Sequence, residues 1–344
     1  MNKKYLIFFI ILFLFAGCAT SEVAIQDSEL DIRGPNPVWP PPPQTARVQY
    51  IRSISGQSDI KKKKSWFIKT MDSILGKGQT SGNLLRPYGV FADADKIYVT
   101  DPGTHFLHIF DIKEKRYLEI RNADRKDLIS PIGVAVDKNG EIYLSDSILK
   151  RVFHFDKDGK YIREIGSDDL FIRPAGIAID EERLYVIDTH KHNVLVFSKK
   201  DGSLLFNFGK KGNGKGEFNY PTNIFIAKDN LLYISDSMNF RVQIFDKNGK
   251  FISTFGKHGD GSGDFSKSKG IAVDSDGHIY VADAHFDTVQ IFDKDGRLLL
   301  AFGNTGRKKG QMILPAGLFI DEQDRIYVAD SNNNRIQIFQ YLKK

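Results

Sequence analysis

Arginine and histidine side chains recur in one segment of a repeated sequence phrase. In every copy a short apolar run containing tyrosine ends in aspartate, and a polar segment follows. Three copies place an arginine five residues after that aspartate: Arg151, Arg241 and Arg335. The other three place histidine in the same segment: His105, His190 with His192, and His285. Guanidinium groups bind carboxylates and imidazoles bind metals, so this segment is a candidate for anion or metal binding.

The elements that carry these residues are short strands. Most copies begin with Pro-x-Gly, and the phrase then runs through apolar residues to Asp, turns, and continues through the tyrosine run to a final stretch that ends in Phe. The anchors recur every 43 to 47 residues: Gly89, Gly133, Gly176, Asn223 in place of glycine, Gly270 and Gly317. A period in the forties made of strands and tight turns indicates β-propeller blades. The sequence therefore predicts an all-β, six-bladed propeller over residues 87–342.

The last copy supplies only three strands, so the ring needs a strand from elsewhere. Residues 46–56 contain a run, Tyr50–Ile54, that is similar to the outer strands Tyr161–Ile165 and Phe251–Phe255 of internal blades. We predict that this N-terminal strand completes blade six and removes an open edge. The repeated tyrosines should be core residues, and the repeated aspartates should accept backbone N–H bonds from the loop that follows them.

This geometry bears on both candidate sites. His105, His190 and His285 belong to alternate blades and share one face, but their loops lie about 4.8 Å outside the inner ring of strands. A zinc–nitrogen bond is about 2.1 Å long, so we expect hydrogen-bonded or solvated histidines rather than a shared metal. For the three arginines, local bridging to the preceding aspartate and a rim that binds carboxylates both remain open.

No catalytic set is recognisable in the sequence. It shows no Ser-His-Asp order, no zinc-helix motif and no cysteine nucleophile, and the Gly-Lys pattern of residues 210–216 lacks Walker spacing. Calcium-dependent lactonases, another six-bladed class, need acidic and amide ligands in the channel. Asn223 is a polar candidate at the channel mouth, but no convincing carboxylate set accompanies it. We predict no catalytic residue, no metal and no cofactor.

The N-terminus predicts a bacterial lipoprotein. Two lysines precede an apolar stretch of eleven residues, and Phe15-Ala16-Gly17-Cys18 resembles a lipobox whose cysteine is lipidated. Cys18 is the only cysteine in the sequence. We predict a signal peptide over residues 1–17 and a lipid-anchored, proline-rich tether over residues 18–45. The expected location is the cell envelope, facing outside the cytoplasm, and the outer membrane if the host has one, because Ala19 rather than Asp follows the cysteine.

Residues 57–86 are predicted to be a basic loop with a short amphipathic helix. Lys61–Lys64 are consecutive lysines, and apolar residues with helical spacing follow: Phe67, Ile68, Met71, Ile74 and Leu75. Packing on the propeller and contact with anionic lipid or a partner are the two interpretations. The net charge of +6 falls to +4 when the two lysines of residues 1–17 are removed. So modest a charge at the cell surface argues against a nucleic-acid partner.

Residues 87–339 resemble the NHL repeat family. The similarity lies in the phrases Pro315–Asp321, Ile326–Asp330 and Arg335–Phe339 and in the run Asp236–Phe245. The resemblance implies a six-bladed propeller, and NHL propellers serve as protein-binding platforms, RNA-binding domains and, in one branch, metal-dependent lyases. That branch, the peptidyl-hydroxyglycine amidating lyases, places zinc-binding histidines between Pro and Gly. The equivalent residues here are Tyr88, Ile132, Ala175, Thr222, Lys269 and Ala316, which speaks against that chemistry.

The sequence favours an envelope-anchored, non-catalytic scaffold that binds a protein through its loop-rich, basic face. The candidate partner-binding residues are Arg151, Arg241, Arg335, His105, His190, His285 and Asn223. The alternatives are a metal-dependent propeller enzyme, lactonase-like or lyase-like, and a binder of anionic polysaccharide. A monomer is favoured.

Overall fold

The computed structural model describes residues 34–60 and 82–343, and residues 36 onward within that range form one compact unit. The described residues form six antiparallel sheets of four or five strands, with a small hairpin between the first two. The predicted signal peptide, Cys18, the first part of the tether and the helix over 61–75 lie outside the described residues.

The first three blades each contain four strands, whose innermost member begins at the Pro-x-Gly phrase. Blade one consists of β3 (Val90–Ala92), β4 (Lys96–Asp101), β5 (Phe106–Asp111) and β6 (Arg116–Ile120). The hairpin β7 (Asn122–Ala123) and β8 (Lys126–Asp127) leads into blade two. Blade two consists of β9 (Pro131–Val136), β10 (Ile142–Asp146), β11 (Arg151–Phe155) and β12 (Tyr161–Ile165). Blade three consists of β13 (Pro174–Ile179), β14 (Arg183–Asp188), β15 (Asn193–Ser198) and β16 (Leu204–Phe208).

The second half of the ring repeats this plan, and the last blade borrows from the N-terminus. Blade four consists of β17 (Pro221–Ile226), β18 (Leu232–Asp236), β19 (Arg241–Phe245) and β20 (Phe251–Phe255). Blade five consists of β21 (Ser268–Val273), β22 (Ile279–Asp283), β23 (Thr288–Phe292) and β24 (Leu298–Phe302). Blade six consists of β25 (Pro315–Ile320), β26 (Arg325–Asp330), β27 (Arg335–Tyr341), β2 (Val48–Ile54) and β1 (Val38–Trp39). Short 3₁₀ turns follow β2, β18 and β26: Gln57–Asp59, Ser237–Asn239 and Ser331–Asn333.

The N-terminal strand closes the ring as the sequence predicts. β2 pairs antiparallel with β27, with Ile54 opposite Ile336 and Val48 opposite Tyr341. Residues 38–39, which the sequence placed in the tether over 18–45, form strand β1 beside β2. The reason is Trp39, whose ring lies 5.7 Å from that of Phe302 and 5.8 Å from that of Phe339. Packing of the indole against these two rings fixes the extended segment on the edge of blade six.

The core is divided among the interfaces between blades. Each cluster of buried side chains combines residues of neighbouring sheets, so both faces of every blade are apolar. The six repeated tyrosines are core residues, as predicted: Tyr98, Tyr143, Tyr185, Tyr233, Tyr280 and Tyr327. Glycines near the channel permit close approach of the inner strands, since a Cβ on Gly89 would lie 2.3 Å from the carbonyl oxygen of Ile132.

Candidate functional site

The aspartates that end the second strands organise one face of the propeller. Each is fully buried, and most accept N–H bonds from the loop that follows, as predicted. The sequence analysis did not predict their second role. They also accept backbone N–H bonds from the inter-blade loop that leads into their own blade, as when Leu85 N and Arg86 N donate to Asp101. One carboxylate therefore fastens two loops and holds both on the same face.

Two of the candidate arginines are part of this fastening. The Nε of Arg335 donates to Asp330 at 2.8 Å, and its Nη2 donates to the carbonyls of Lys308 and Gln311. Arg241 makes the equivalent bonds to Asp236 and to carbonyls of residues 213, 214 and 217. Both side chains are only 13% exposed. Their guanidinium groups are thus hydrogen-bonded to the aspartates of their own blades and to carbonyl groups of the inter-blade loops.

Arg151 behaves differently from the other two arginines. It pairs with Asp168 at 2.8 Å and Glu164 at 3.6 Å rather than with Asp146, the aspartate five residues before it. Its guanidinium group holds the pKa of Asp168 below the usual range through a hydrogen bond and charge attraction. Local bridging therefore occurs at all three arginines, but only two of them use the aspartate that the spacing suggested.

Each candidate histidine contacts a residue of an adjacent inter-blade loop. The Nδ1 of His105 contacts the carbonyl oxygen of Ile129, and the Nδ1 of His285 lies 3.1 Å from the Oγ of Ser266. The ring of His190 packs edge-on against Tyr220, with centroids 5.6 Å apart. No group of three or more metal-ligating side chains occurs within the described ranges 34–60 and 82–343. The structure does not bring the three histidines together there.

His192, which the sequence paired with His190, lies beneath this surface. It is 6% exposed, and its Nδ1 accepts a hydrogen bond from Tyr220 N at 3.0 Å. Burial lowers its pKa, and the charge of Lys211 acts in the same direction. A neutral His192 therefore holds the loop that leads into blade four.

The channel mouth carries polar groups that the sequence analysis did not assign to a site. Lys269 precedes the repeat glycine Gly270 in blade five, where Ser268 replaces the proline of the phrase, and its Nζ lies 4.9 Å from the ring centre of Tyr88 in blade one. Burial lowers the pKa of Lys269 and raises that of Tyr88. The positive charges of Arg173 and Lys267 act against the increase in the pKa of Tyr88. Charged side chains of blades three and five therefore interact with the Tyr88 phenol of blade one.

Three exposed cations surround the mouth. Arg86, Arg173 and Lys267 immediately precede the Pro position of blades one, three and five. In the part of the chain that the structure describes, none of their side chains forms an ion pair, whereas their backbone N–H groups bond to Asp101, Asp188 and Asp283. The sequence signal that could have found them is the residue before each Pro-x-Gly phrase.

Below the mouth lies an apolar cavity of about 250 Å³. The inner strands line it, and Asn223, which replaces the repeat glycine in blade four, contributes a polar side chain. Phe91, Phe225 and Phe319 each follow the repeat glycine position of their strand by two residues. At the rise of a β-strand, this offset places them about 6.6 Å further into the channel than that position. The ring of Phe319 lies 4.5 Å from that of Phe91 and 6.0 Å from that of Phe225, so aromatic side chains narrow the channel at this level.

Large apolar side chains are exposed on the same face over blades one to three. Three of them lie in inter-blade loops and one lies in the loop after Asp146, and they are 39% to 59% exposed: Leu85, Ile129, Ile172 and Ile148. Ile129 and Ile148 are neighbours because their backbone N–H groups both bond to Asp146. We call these four residues the apolar patch. Exposed apolar side chains on one face are candidates for an interaction surface.

No helix among the described residues is both long enough and apolar enough to cross a membrane.

The loop-bearing face carries an apolar patch, three exposed cations, and a channel mouth with a lysine and a tyrosine. Among the described residues it lacks a cluster of metal ligands. Such a surface can bind, and its chemistry is that of cations and apolar groups.

Two family models match parts of the chain. A model described as a six-bladed β-propeller matches residues 167–239 and 227–287, and the NHL repeat model matches residues 313–339. The protein brain tumor of Drosophila melanogaster is 27% identical over 138 residues, which are 38% of this chain and 13% of that protein. A probable peptidyl-alpha-hydroxyglycine alpha-amidating lyase of Caenorhabditis elegans is 25% identical over 155 residues, 43% of each chain. The chain thus matches less than half the length of these curated relatives.

Solved structures share the architecture at low identity. A protein of unknown function from Bacteroides thetaiotaomicron superposes with a TM-score of 0.61 at 16% identity, covering 86% of this chain and 75% of that one. An auxiliary nutrient binding protein from the same organism gives 0.58 at 14%, covering 76% and 70%. A streptogramin B lyase gives 0.57 at 14%, covering 75% and 94%. At such identities the likeness concerns the fold. The six sheets form a six-bladed β-propeller, and the chain matches a six-bladed β-propeller family model and the NHL repeat model over parts of its length.

Proposed function

We propose that this propeller is a non-catalytic binding protein of the cell envelope, anchored through Cys18, which captures a protein partner on its loop-bearing face. The observation that carries the proposal is the apolar patch beside Arg86 and Arg173, two exposed cations without ion-pair partners among the described residues. Apolar side chains supply most of the free energy of protein association, and neighbouring charges select and orient the partner.

The charges define the partner that fits. A surface with exposed guanidinium groups beside apolar residues complements a segment whose apolar side chains are flanked by aspartate or glutamate. Arg241 and Arg335 are committed to loops of their own blades, so we base the partner-reading set on Arg86 and Arg173 instead. Arg151, His105, His190 and His285 would contribute only at the rim of this surface.

In-cell cross-linking of the full chain, followed by affinity capture and mass spectrometry, tests the proposal. We expect one dominant protein, lost in Ile172→Asp and reduced by at least tenfold in Arg173→Glu. The matched control is Ile252→Asp, because Ile252 is as exposed as Ile172, at 47%, but lies on the outer strand of blade four. Equal capture by Ile172→Asp and the wild type would overturn the proposed surface. Retention on anionic polysaccharide in place of a protein would instead support the alternative binding role.

The anchor has a separate test. Cys18→Ala should move the protein from the membrane fraction to the soluble fraction of the envelope and abolish incorporation of labelled fatty acid. Unchanged fractionation would remove the lipid anchor from the proposal and leave the binding surface untouched.

A further inference from the structure

Lys269 is a cation without a counter-ion. Within the described ranges its ammonium group forms no ion pair or hydrogen bond, and its one polar contact is with the ring face of Tyr88, 4.9 Å away. The charged groups that act on its neighbour Tyr88 are Arg173 and Lys267, both positive. A partly buried ammonium is destabilising until an anion joins it, because desolvation penalises the charged form.

The cavity beneath provides room for an apolar group. Its volume of about 250 Å³ is below the range of about 300–1,000 Å³ that holds drug-sized ligands, so its occupant must be small. Strand residues such as Ile132, Ile177 and Ile271 and the three phenylalanines supply apolar wall, and Tyr88 and Asn223 add polar groups. A ligand that satisfies both levels has one anionic end and a short hydrocarbon body.

We propose that the channel mouth binds a small amphiphilic carboxylate, with its anionic group at Lys269 and Tyr88 and its apolar body in the cavity above Phe91, Phe225 and Phe319. A carboxylate suits this level because a single ammonium and a phenol hydroxyl can together satisfy it. The hydroxyl of Tyr88 can donate to a carboxylate oxygen, since burial raises the pKa of Tyr88 and keeps it protonated. Exposed Arg86, Arg173 and Lys267 would attract the anion towards the mouth.

This site differs from the surface assigned to a protein partner, because the ligand enters the channel rather than covering the apolar patch. The two proposals can fail separately. Lys269→Met should leave protein capture unchanged, and Ile172→Asp should leave binding of the small carboxylate unchanged.

Isothermal titration calorimetry with sodium octanoate tests the site on the folded soluble chain. We expect saturable binding of one octanoate per chain, at least tenfold weaker for octan-1-ol and for acetate, which lack the charge and the apolar body respectively. Lys269→Met should weaken octanoate binding at least tenfold, and Tyr88→Phe should weaken it several-fold. The matched control is Lys250→Met, an exposed lysine in a turn after the third strand of blade four.

Three results would overturn the proposal: octanoate binding no tighter than that of octanol, an unchanged affinity in Lys269→Met, or tighter binding of octyl phosphate than of octanoate. Circular dichroism establishes that each variant is folded before titration. A second readout is pH. Because the pKa of Lys269 lies below the ordinary lysine value of 10.5, octanoate affinity should fall as the pH rises towards that value. The affinity of Lys269→Met should lack this decline, and an identical decline in both proteins would also contradict the site.

Discussion

The loop-bearing face contains two sets of cations with opposite roles. In blades four and six, Arg241 and Arg335 bond to unexposed aspartates and to backbone carbonyls of the inter-blade loops. At the channel mouth, Arg173, Lys267 and Lys269 form no ion pair with any described residue. The difference shows that a basic residue on this face is either a structural fastener or an available charge. Its surroundings in three dimensions, rather than its residue type, decide which.

The number of side chains that hold the inter-blade loop differs from blade to blade. Blades four and six carry asparagine, arginine and glutamine three, five and seven residues after the aspartate, and all three side chains bond to that aspartate. Blade five keeps only the glutamine, Gln290, which holds the inter-blade loop through Asp264 O and Gly263 N. Blade one has His108 seven residues after its aspartate, Asp101, and this side chain contacts Thr104 and Asp101. The equivalent loop contacts in blade one therefore include a group that titrates.

The largest effect should come from breaking a fastened arginine. Arg335→Ala leaves the buried Asp330 carboxylate and the Gln311 carbonyl without a charged donor, so we expect the free energy of unfolding to fall by about 4 kcal/mol. Burial already raises the pKa of Asp330 in spite of this arginine. Urea denaturation measures the loss. Arg86→Ala is the matched control from the available set and should change stability by less than about 0.5 kcal/mol. Similar losses in both variants would contradict the distinction.

The next effect should appear as acid sensitivity in blade one. Burial lowers the pKa of His108 to about 4, with the charges of Asp101 and Glu119 opposing the change. The unfolded imidazole takes up a proton below about pH 6.5, so between pH 6.5 and 4 the unfolded state binds more protons than the folded state. Stability from His108 is therefore complete above pH 6.5 and is lost as the pH falls, by up to about 3 kcal/mol.

His108→Gln tests this point because glutamine occupies the same position in blades four to six. Denaturation curves at pH 7.5, 5.5 and 4.5 should show a smaller loss of stability on acidification in His108→Gln than in the wild type. Carboxylates remote from His108 titrate alike in both proteins, so the difference reports the imidazole together with Asp101 and Glu119, which interact with it. Parallel pH profiles would show that His108 is not the acid-sensitive element.

The smallest effect should come from adding a fastener. Blade five has Thr288 where blades four and six have arginine, and Asp283 and the Asp264 carbonyl lie in the equivalent places. Thr288→Arg should raise the free energy of unfolding by about 0.5 kcal/mol, since the gain is reduced by loss of the Thr288 bond to Phe302 O. Thr288→Lys is the control, because an ammonium lacks the fork that reaches both acceptors. Equal stability of the two variants would show that charge alone accounts for the effect.

Much of the fold could be predicted because the same pattern of strands and turns occurs in six copies. Strand order, the turn positions, the buried tyrosines and the closing strand all follow from short-range pattern. Trp39 was missed because a two-residue strand has no periodicity, and its placement depends on Phe302 and Phe339 at the far end of the chain. Local pattern cannot register such distant packing.

The candidate site was predicted less well, for a related reason. The sequence drew attention to Arg241 and Arg335 through their constant distance from aspartate, and that regularity reflects their role in a repeated loop. Lys269 and Tyr88 occupy the variable position of the repeat phrase and carry no motif, but they meet at the channel mouth. In a repeat protein, regularity marks structure, and departures from it are better candidates for a site.

By itself the sequence determined the blade, its copy number and the aspartates that fasten the loops, because these depend on strand periodicity and on hydrogen bonds between near neighbours. Only the tertiary structure decided which cations are paired, since Arg335 reaches carbonyls 24 and 27 residues away and Lys269 reaches a tyrosine in a different blade. Closing the ring brings these groups together, and the desolvation that it imposes sets their charge states.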